Sequence, residues 1–142
     1  MKPVRINDRL SICEQLSTSD VSAAAASGIR VLINNRPDGE DFGQPRASEI
    51  AEAAAQAGLA SAHIPLRASE ITEGAVRAFQ RVLAENDGQV LAFCRSGTRS
   101  LTLWALGEVL DGRMAKDDVI RFGRERGFDL SGVVTWLGAN GH

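Results

Sequence analysis

The sequence predicts an α/β domain with a mainly parallel central sheet flanked by helices. Three observations carry that expectation. Short apolar runs (Arg30–Asn34, Ser61–Leu66 and Gln89–Phe93) alternate with longer segments of helical periodicity, the order that builds parallel strands joined by helical crossovers. Helix start and stop residues punctuate the segments between them. The 142 residues fit one domain, 1–142, long enough to bury about 70% of its unfolded-state surface without disulfide or metal staples.

Taken in order, Leu10–Leu16 is a weak strand in which Cys13 is a small core residue. Ser17, Thr18, Ser19 and Asp20 offer N-caps to a short helix through Ala26 that Gly28 ends. Arg30–Asn34 (R-V-L-I-N) is a β-branched strand, and Arg36-Pro37-Asp38-Gly39 has turn chemistry. A helix follows from Pro45 to Ala57, with Pro at its first turn and Gly58 as the stop. Ser61–Leu66 is a further strand, demoted by Pro65. Thr72 caps a helix whose apolar face is Val76, Phe79 and Leu83 and which closes at Asn86-Asp87-Gly88. Gln89–Phe93 is the last strand. Leu101, Leu103, Trp104, Leu106, Val109 and Leu110 cover most faces of the next helix, which marks it as buried. Helices over 116–126 and 131–140 finish the chain, with Trp104 and Trp136 assigned to the core and terminal His142 expected to be loose.

Composition excludes several classes. Sixteen basic and 18 acidic residues give a net charge of −2, which offers no basic footprint for nucleic acid. No apolar run has the length of a secretory leader or of a membrane span, so a cytoplasmic location and no membrane partner are expected. Two distant cysteines make neither a disulfide scaffold nor a zinc ribbon. Nothing has the spacing of a metal site, a Walker loop or a dinucleotide fingerprint, so no cofactor is expected. Fourteen of the 16 basic residues are arginine, the planar fork suited to anions.

Chemistry concentrates in F-C-R-S-G-T-R-S, residues 93–100, between a buried strand and a buried helix. In sheets of this kind ligands bind beyond the C-terminal strand ends. Arg95–Thr98 form the turn, Arg99 and Ser100 open the helix, and the first helical amides, lacking intrahelical acceptors, point back at Cys94. Gly97 lets the backbone fold tightly. The helix dipole, Arg95, Arg99 and the N–H donors of Ser96, Gly97 and Thr98 favour thiolate over thiol, so Cys94 is the expected nucleophile above an anion cradle.

C-R-S-G-T-R-S resembles the active-site loop of rhodanese sulfurtransferases, where Cys and Arg are also separated by four residues. The rest of the chain resembles the cysteine-dependent dual-specificity phosphatase fold. Both features together, with I-N-N-R-P-D-G-E at Ile33–Glu40 and H-I-P-L at His63–Leu66, resemble the phosphatase-like domain of the bacterial beta-lactamase-hydrolase-like family. That resemblance implies sulfurtransferase or phosphatase activity, and occurrence beside persulfide-processing domains. A tyrosine-phosphatase loop has five residues between Cys and Arg and usually a His before the Cys, where this chain has four and Phe93. The smaller ring suits a single sulfur, whereas the architecture favours phosphatase ancestry.

Sulfur transfer is the favoured expectation. Cys94 takes the outer sulfur of thiosulfate, a polysulfide or a persulfide, Arg95 and Arg99 orient the donor, and a thiol or cyanide removes the sulfur. In the alternative, Cys94 attacks phosphorus in a phosphorylated substrate, Arg99 binds two oxygens, and a carboxylic acid protonates the leaving group. Ser100 is expected to hydrogen-bond the thiolate in both. Glu70, 24 positions before Cys94, is the first candidate acid, with Asp38 and Glu40 as alternatives. Arg36 contacts substrate or braces its turn, and Asp38 shares that loop. His63 reads as structural, and Cys13 serves as a resolving thiol only if the fold brings it to Cys94. A third expectation is a phosphate- or sulfate-binding module without turnover. The oligomeric state is left open.

Overall fold

In the computed structural model, which describes residues 1–142, five strands form one sheet. They are β1 (Val4–Arg5), β2 (Leu10–Cys13), β3 (Ile29–Asn34), β4 (Ala60–His63) and β5 (Gln89–Phe93), in the spatial order β1-β2-β5-β3-β4. β2, β5, β3 and β4 run parallel, so the expected mainly parallel sheet is present. β1 adds an antiparallel edge, Val4 opposite Ile12, that sequence reading misses because two residues carry no periodicity.

The helices are α1 (Thr18–Ala26), α2 (Ala47–Gln56), α3 (Glu73–Glu85), α4 (Thr98–Leu110), α5 (Val119–Glu125) and α6 (Ser131–Ala139). Ser17 and Asp20 form a reciprocal capping box on α1, and Thr72 Oγ1 accepts from Ala75 N at 3.1 Å to start α3. Several boundaries move. β2 ends at Cys13, three residues short of the expected limit. Regular pairing in β4 stops at His63, before Pro65 removes an N–H, although Ile64 N and Leu66 N still donate to the Asn34 and Asn35 carbonyls at 2.9 and 3.2 Å. Residues 116–126 divide into a 3-10 turn, Lys116–Asp118, and α5.

Alternation along the strands sends side chains to two cores. Leu10, Ile12, Val31, Ile33, Val90 and Ala92 pack under α3, α4 and α6, where Phe79, Leu101, Leu106 and Leu137 are fully buried. Cys13, Leu32, Leu91 and Phe93 pack with Val21 and Ala24 of α1 and Ile50 and Ala54 of α2. α4 is buried on several faces, as its all-round apolar pattern requires. Trp104 and Trp136 lie half-buried against the larger core, and Trp136 Nε1 donates to Ile71 O at 2.9 Å. His142 departs from expectation: its ring stacks on Trp136 with centroids 6.4 Å apart, its amide donates to Leu137 O, and its carbonyl accepts from Lys116 Nζ. No helix is long and apolar enough to cross a membrane.

Register positions the site. Phe93 is the cross-strand partner of both Cys13 and Asn34, so three parallel strands end at one level and their following loops meet there.

Candidate active site

Cys94 is fully buried and leaves the end of β5 directly. Gly97 N–H donates to its Sγ at 3.1 Å. Gly97 sits at φ +96° as the N-cap of α4, and a Cβ there would lie 2.9 Å from Ile12 Cγ2, 3.1 Å from Phe128 Cε1 and 3.2 Å from Cys13 O. Only glycine satisfies both the left-handed backbone and that close approach. The helix opens at Thr98, one residue earlier than the sequence indicates. Ser96 Oγ and Thr98 Oγ1 pair with each other at 3.2 Å on the outer side of the loop.

Arg99 is held by a chain segment far away in sequence. Its Nη1 donates to Glu40 Oε2 at 2.8 Å and to Leu66 O at 3.0 Å, and its Nη2 donates to Glu40 Oε1 at 2.8 Å. A guanidinium has five N–H donors in one plane. Three are used here, which leaves Nε–H and the second Nη2–H, adjacent on one edge, as a free fork. The Glu40 carboxylate is lowered to about 2, first by the Arg99 hydrogen bonds, against burial, and then by Arg36. Arg99 is held above its ordinary value, first by Glu40, against burial, and then by the neighbouring Cys94 sulfur.

Arg36 is 4% exposed and braces its own loop. Nε donates to Glu40 Oε1 at 2.9 Å, Nη1 to Gln15 Oε1 at 3.1 Å and Nη2 to Asp41 Oδ2 at 2.6 Å. Of the two expected roles for Arg36, bracing is the one its contacts fill. Arg95 is two-thirds exposed and pairs with Asp41 at 3.2 Å. His63 has the structural role expected of it, with Nε2 2.9 Å from Arg36 O.

Two sequence assignments are corrected, Ser100 as a partner of the sulfur and Glu40 as an acid, and a third residue, Asp38, is found in a capping contact. Ser100 is fully buried, but its hydroxyl donates to Asn35 Oδ1 at 2.7 Å, so its one proton is committed to an amide and not to the sulfur. Asn35 cannot turn away, because its Nδ2 donates to Ile64 O at 3.0 Å. Asp38 is placed at the start of α2 and away from the Arg99–Glu40 pair in its bonding, its Oδ1 accepting from Ala47 N at 2.7 Å. Glu40, kept ionised between two guanidinium groups, is not a proton donor. Glu70 closes an exposed 3-10 turn, Ala68–Glu70, and its carboxylate has no hydrogen-bond or ion-pair partner. Cys13 points into the smaller core, where burial pushes its thiol up, the condition of a structural cysteine.

Sequence reasoning missed Asn35, Gln15 and Asp41 as members of this lattice. A signal was available for the first: Asn34-Asn35-Arg36 places three polar residues where a buried strand ends, and such residues stay buried only when hydrogen-bonded.

The chain matches the family described as "Beta-lactamase hydrolase-like protein, phosphatase-like domain" over residues 4–111. A beta-lactamase hydrolase-like protein of Agrobacterium fabrum is 47% identical over 137 residues, which cover 96% of this chain and 32% of that protein. The chain therefore spans about a third of the length of such relatives. A crystal structure from Neisseria meningitidis Z2491, described as a candidate phosphatase, superposes with a TM-score of 0.84 at 32% identity and covers 96% of both chains. At the level of fold alone, the Pseudomonas aeruginosa protein TpbA, solved in complex with phosphotyrosine, superposes with a TM-score of 0.64 at 16% identity, covering 96% of this chain and 90% of that one.

Proposed function

The chain belongs to the family of the phosphatase-like domain of beta-lactamase hydrolase-like proteins, and from that membership we propose that it is a cysteine-dependent phosphatase acting on phosphate monoesters. The observation that carries the reading is the free Nε–H/Nη2–H fork of Arg99, fixed by Glu40 next to the Cys94 sulfur. Two parallel N–H donors match two oxygens of a tetrahedral oxyanion.

Cys94 thiolate attacks phosphorus, a P–S bond forms and the P–O bond to the leaving group breaks. Arg99 binds two equatorial oxygens and carries the charge that develops on them. The departing oxygen takes a proton from a carboxylic acid, and Glu70, 24 positions before Cys94, is the candidate: Glu40 and Asp41 are paired with guanidinium groups and Asp38 accepts from a helix amide, whereas Glu70 has no hydrogen-bond or ion-pair partner. Water then cleaves the P–S bond, releasing phosphate and restoring the thiolate, which Gly97 N–H stabilises.

This reverses the order expected from the sequence. The four-residue interval between Cys94 and Arg99 favours sulfur transfer by counting loop amides, but it leaves out the two donors that Arg99 contributes once Glu40 orients it. The resemblance to a solved structure described as a candidate phosphatase supports the same reversal. Sulfur transfer through a Cys94 persulfide stays as the second reading, favoured by that interval alone. Hydrolysis of an aryl phosphate, set beside thiosulfate-to-cyanide transfer, separates the two. Aryl phosphate turnover is expected, lost in Cys94→Ser and reduced about 100-fold in Arg99→Lys, which keeps the charge but not the fork. Cyanide-dependent sulfur transfer without aryl phosphate turnover would overturn the proposal, and anion affinity with no turnover at all would leave a binding module.

A further inference from the structure

Gly97 N–H donates to the Cys94 sulfur, yet glycine by itself does not keep it there, because it takes either sign of φ readily. The Gly97 carbonyl is committed to Leu101 N at 3.0 Å, in the first turn of α4. What needs support is therefore the Ser96–Gly97 peptide, which carries the N–H. The bare face of Gly97 Cα is met by Ile12 Cγ2 and Cys13 O from β2 and by Phe128 Cε1, which lies at most about 4.7 Å from that Cα. The first two are fixed by the sheet. The third comes from the turn between α5 and α6.

Local bonding on both sides of Phe128 fixes its place. Phe128 N donates to Gly123 O at 2.8 Å and Gly127 N to Arg124 O at 3.1 Å, so α5 ends in a Schellman motif that sets the direction of the chain at Phe128. After it, Asp129 Oδ1 accepts from Ser131 N at 2.9 Å to open α6, and Leu130 is fully buried. Gly123 permits this closure, since a Cβ there would lie 2.6 Å from Leu130 Cγ and 2.9 Å from Phe128 O. Phe128 itself is half-buried and packs against the larger core.

We propose that Phe128 is a positioning residue that holds the Gly97 amide on the Cys94 sulfur. It acts through the loop and not on the reacting atoms. A smaller side chain opens the wall behind Gly97, the Ser96–Gly97 peptide gains room to turn, and water that enters competes for the N–H. The sulfur then loses a donor before any substrate binds, so the inference holds for attack on phosphorus and on sulfur alike.

The test is amide hydrogen exchange, read by NMR, in the intact protein and in its Phe128→Ala and Phe128→Leu variants, with Leu91 and Ala92 of β5 as reporters of global opening. Exchange at Gly97 is expected to rise about 10-fold in Phe128→Ala beyond any rise at the two strand amides. Phe128→Leu keeps apolar bulk with a shorter reach, so its selective rise is about threefold, and it carries the comparison alone if Phe128→Ala does not fold. A rise at Gly97 that only matches the strand amides makes Phe128 a packing residue and overturns the proposal. Kinetics supply a second readout: kcat on an aryl phosphate should fall about 10-fold in Phe128→Ala with KM within about twofold, since Arg99 is held by Glu40 and Leu66. An unchanged kcat in a variant whose Gly97 amide has been freed also overturns it. Absence of turnover in the unaltered protein counts against the phosphatase reading alone, because the exchange comparison uses no substrate.

Discussion

Replacing Glu40 with Gln separates positioning from chemistry. Three N–H donors end on the Glu40 carboxylate: Arg99 Nη1 and Nη2, each at 2.8 Å, and Arg36 Nε at 2.9 Å. Gln has the same shape, but it carries no charge and must turn an NH2 toward at least one guanidinium. A hydrogen bond to a charged group is worth about 1.5–3 kcal/mol, and partial exposure of Glu40 moderates the sum over the three. A net loss of about 1.5–3 kcal/mol in holding Arg99 lowers kcat/KM on an aryl phosphate about 10- to 100-fold. The same loss lowers Tm by about 5–10 °C in a domain of this size. The pH dependence carries the sign. The folded-state carboxyl is lowered to about 2, below its unfolded value, so its contribution is complete above the unfolded value and disappears as pH falls through the folded one. The stability gap between the protein and Glu40→Gln is therefore constant above about pH 5 and closes toward pH 2. Thermal unfolding across that range, with kinetics at neutral pH, is the assay. A kcat/KM within twofold of the unaltered protein, or a gap that persists at pH 2, refutes the reasoning.

Other perturbations follow from the same contacts. Gly97→Ala, which meets both a left-handed φ and the Cys13 carbonyl, should cost about 2–4 kcal/mol in denaturant unfolding and abolish turnover; a stable, active variant would contradict the loop geometry. Asp38→Ala removes the acceptor for Ala47 N and should cost about 0.5–2 kcal/mol with kcat/KM unchanged, whereas a kinetic loss at full stability would return Asp38 to the site. Glu70→Gln should slow esters with poor leaving groups about 10- to 1000-fold and leave good ones nearly unaffected; a uniform rate across leaving groups removes Glu70 from the mechanism.

Local chemistry was legible in the sequence, and long-range pairing was not. The geometry of the Cys94 loop could be read because Cys94, Gly97 and Arg99 lie in one short segment where a strand meets a helix. His63 and Thr72 behaved as their local contexts indicated. Glu40 and Arg99 are 59 residues apart, and only the alignment of Asn34 with Phe93 across the sheet brings their loops together. For that reason Glu40 could be mistaken for an acid. Ser100 was assigned to the sulfur because the loop was considered alone, whereas Asn35, at the end of a different strand, takes its proton. Strand–helix alternation located four of the five strands. β1 stayed hidden because its two residues are fixed by pairing with β2 and not by any pattern of their own.

The most direct measurement is intact mass of the protein quenched rapidly during turnover of an aryl phosphate, with parallel exposure to thiosulfate. A gain of one phosphoryl group that maps to Cys94, absent in Cys94→Ser, is the predicted result. No phosphoryl adduct, together with a single added sulfur on Cys94 after thiosulfate, would contradict it.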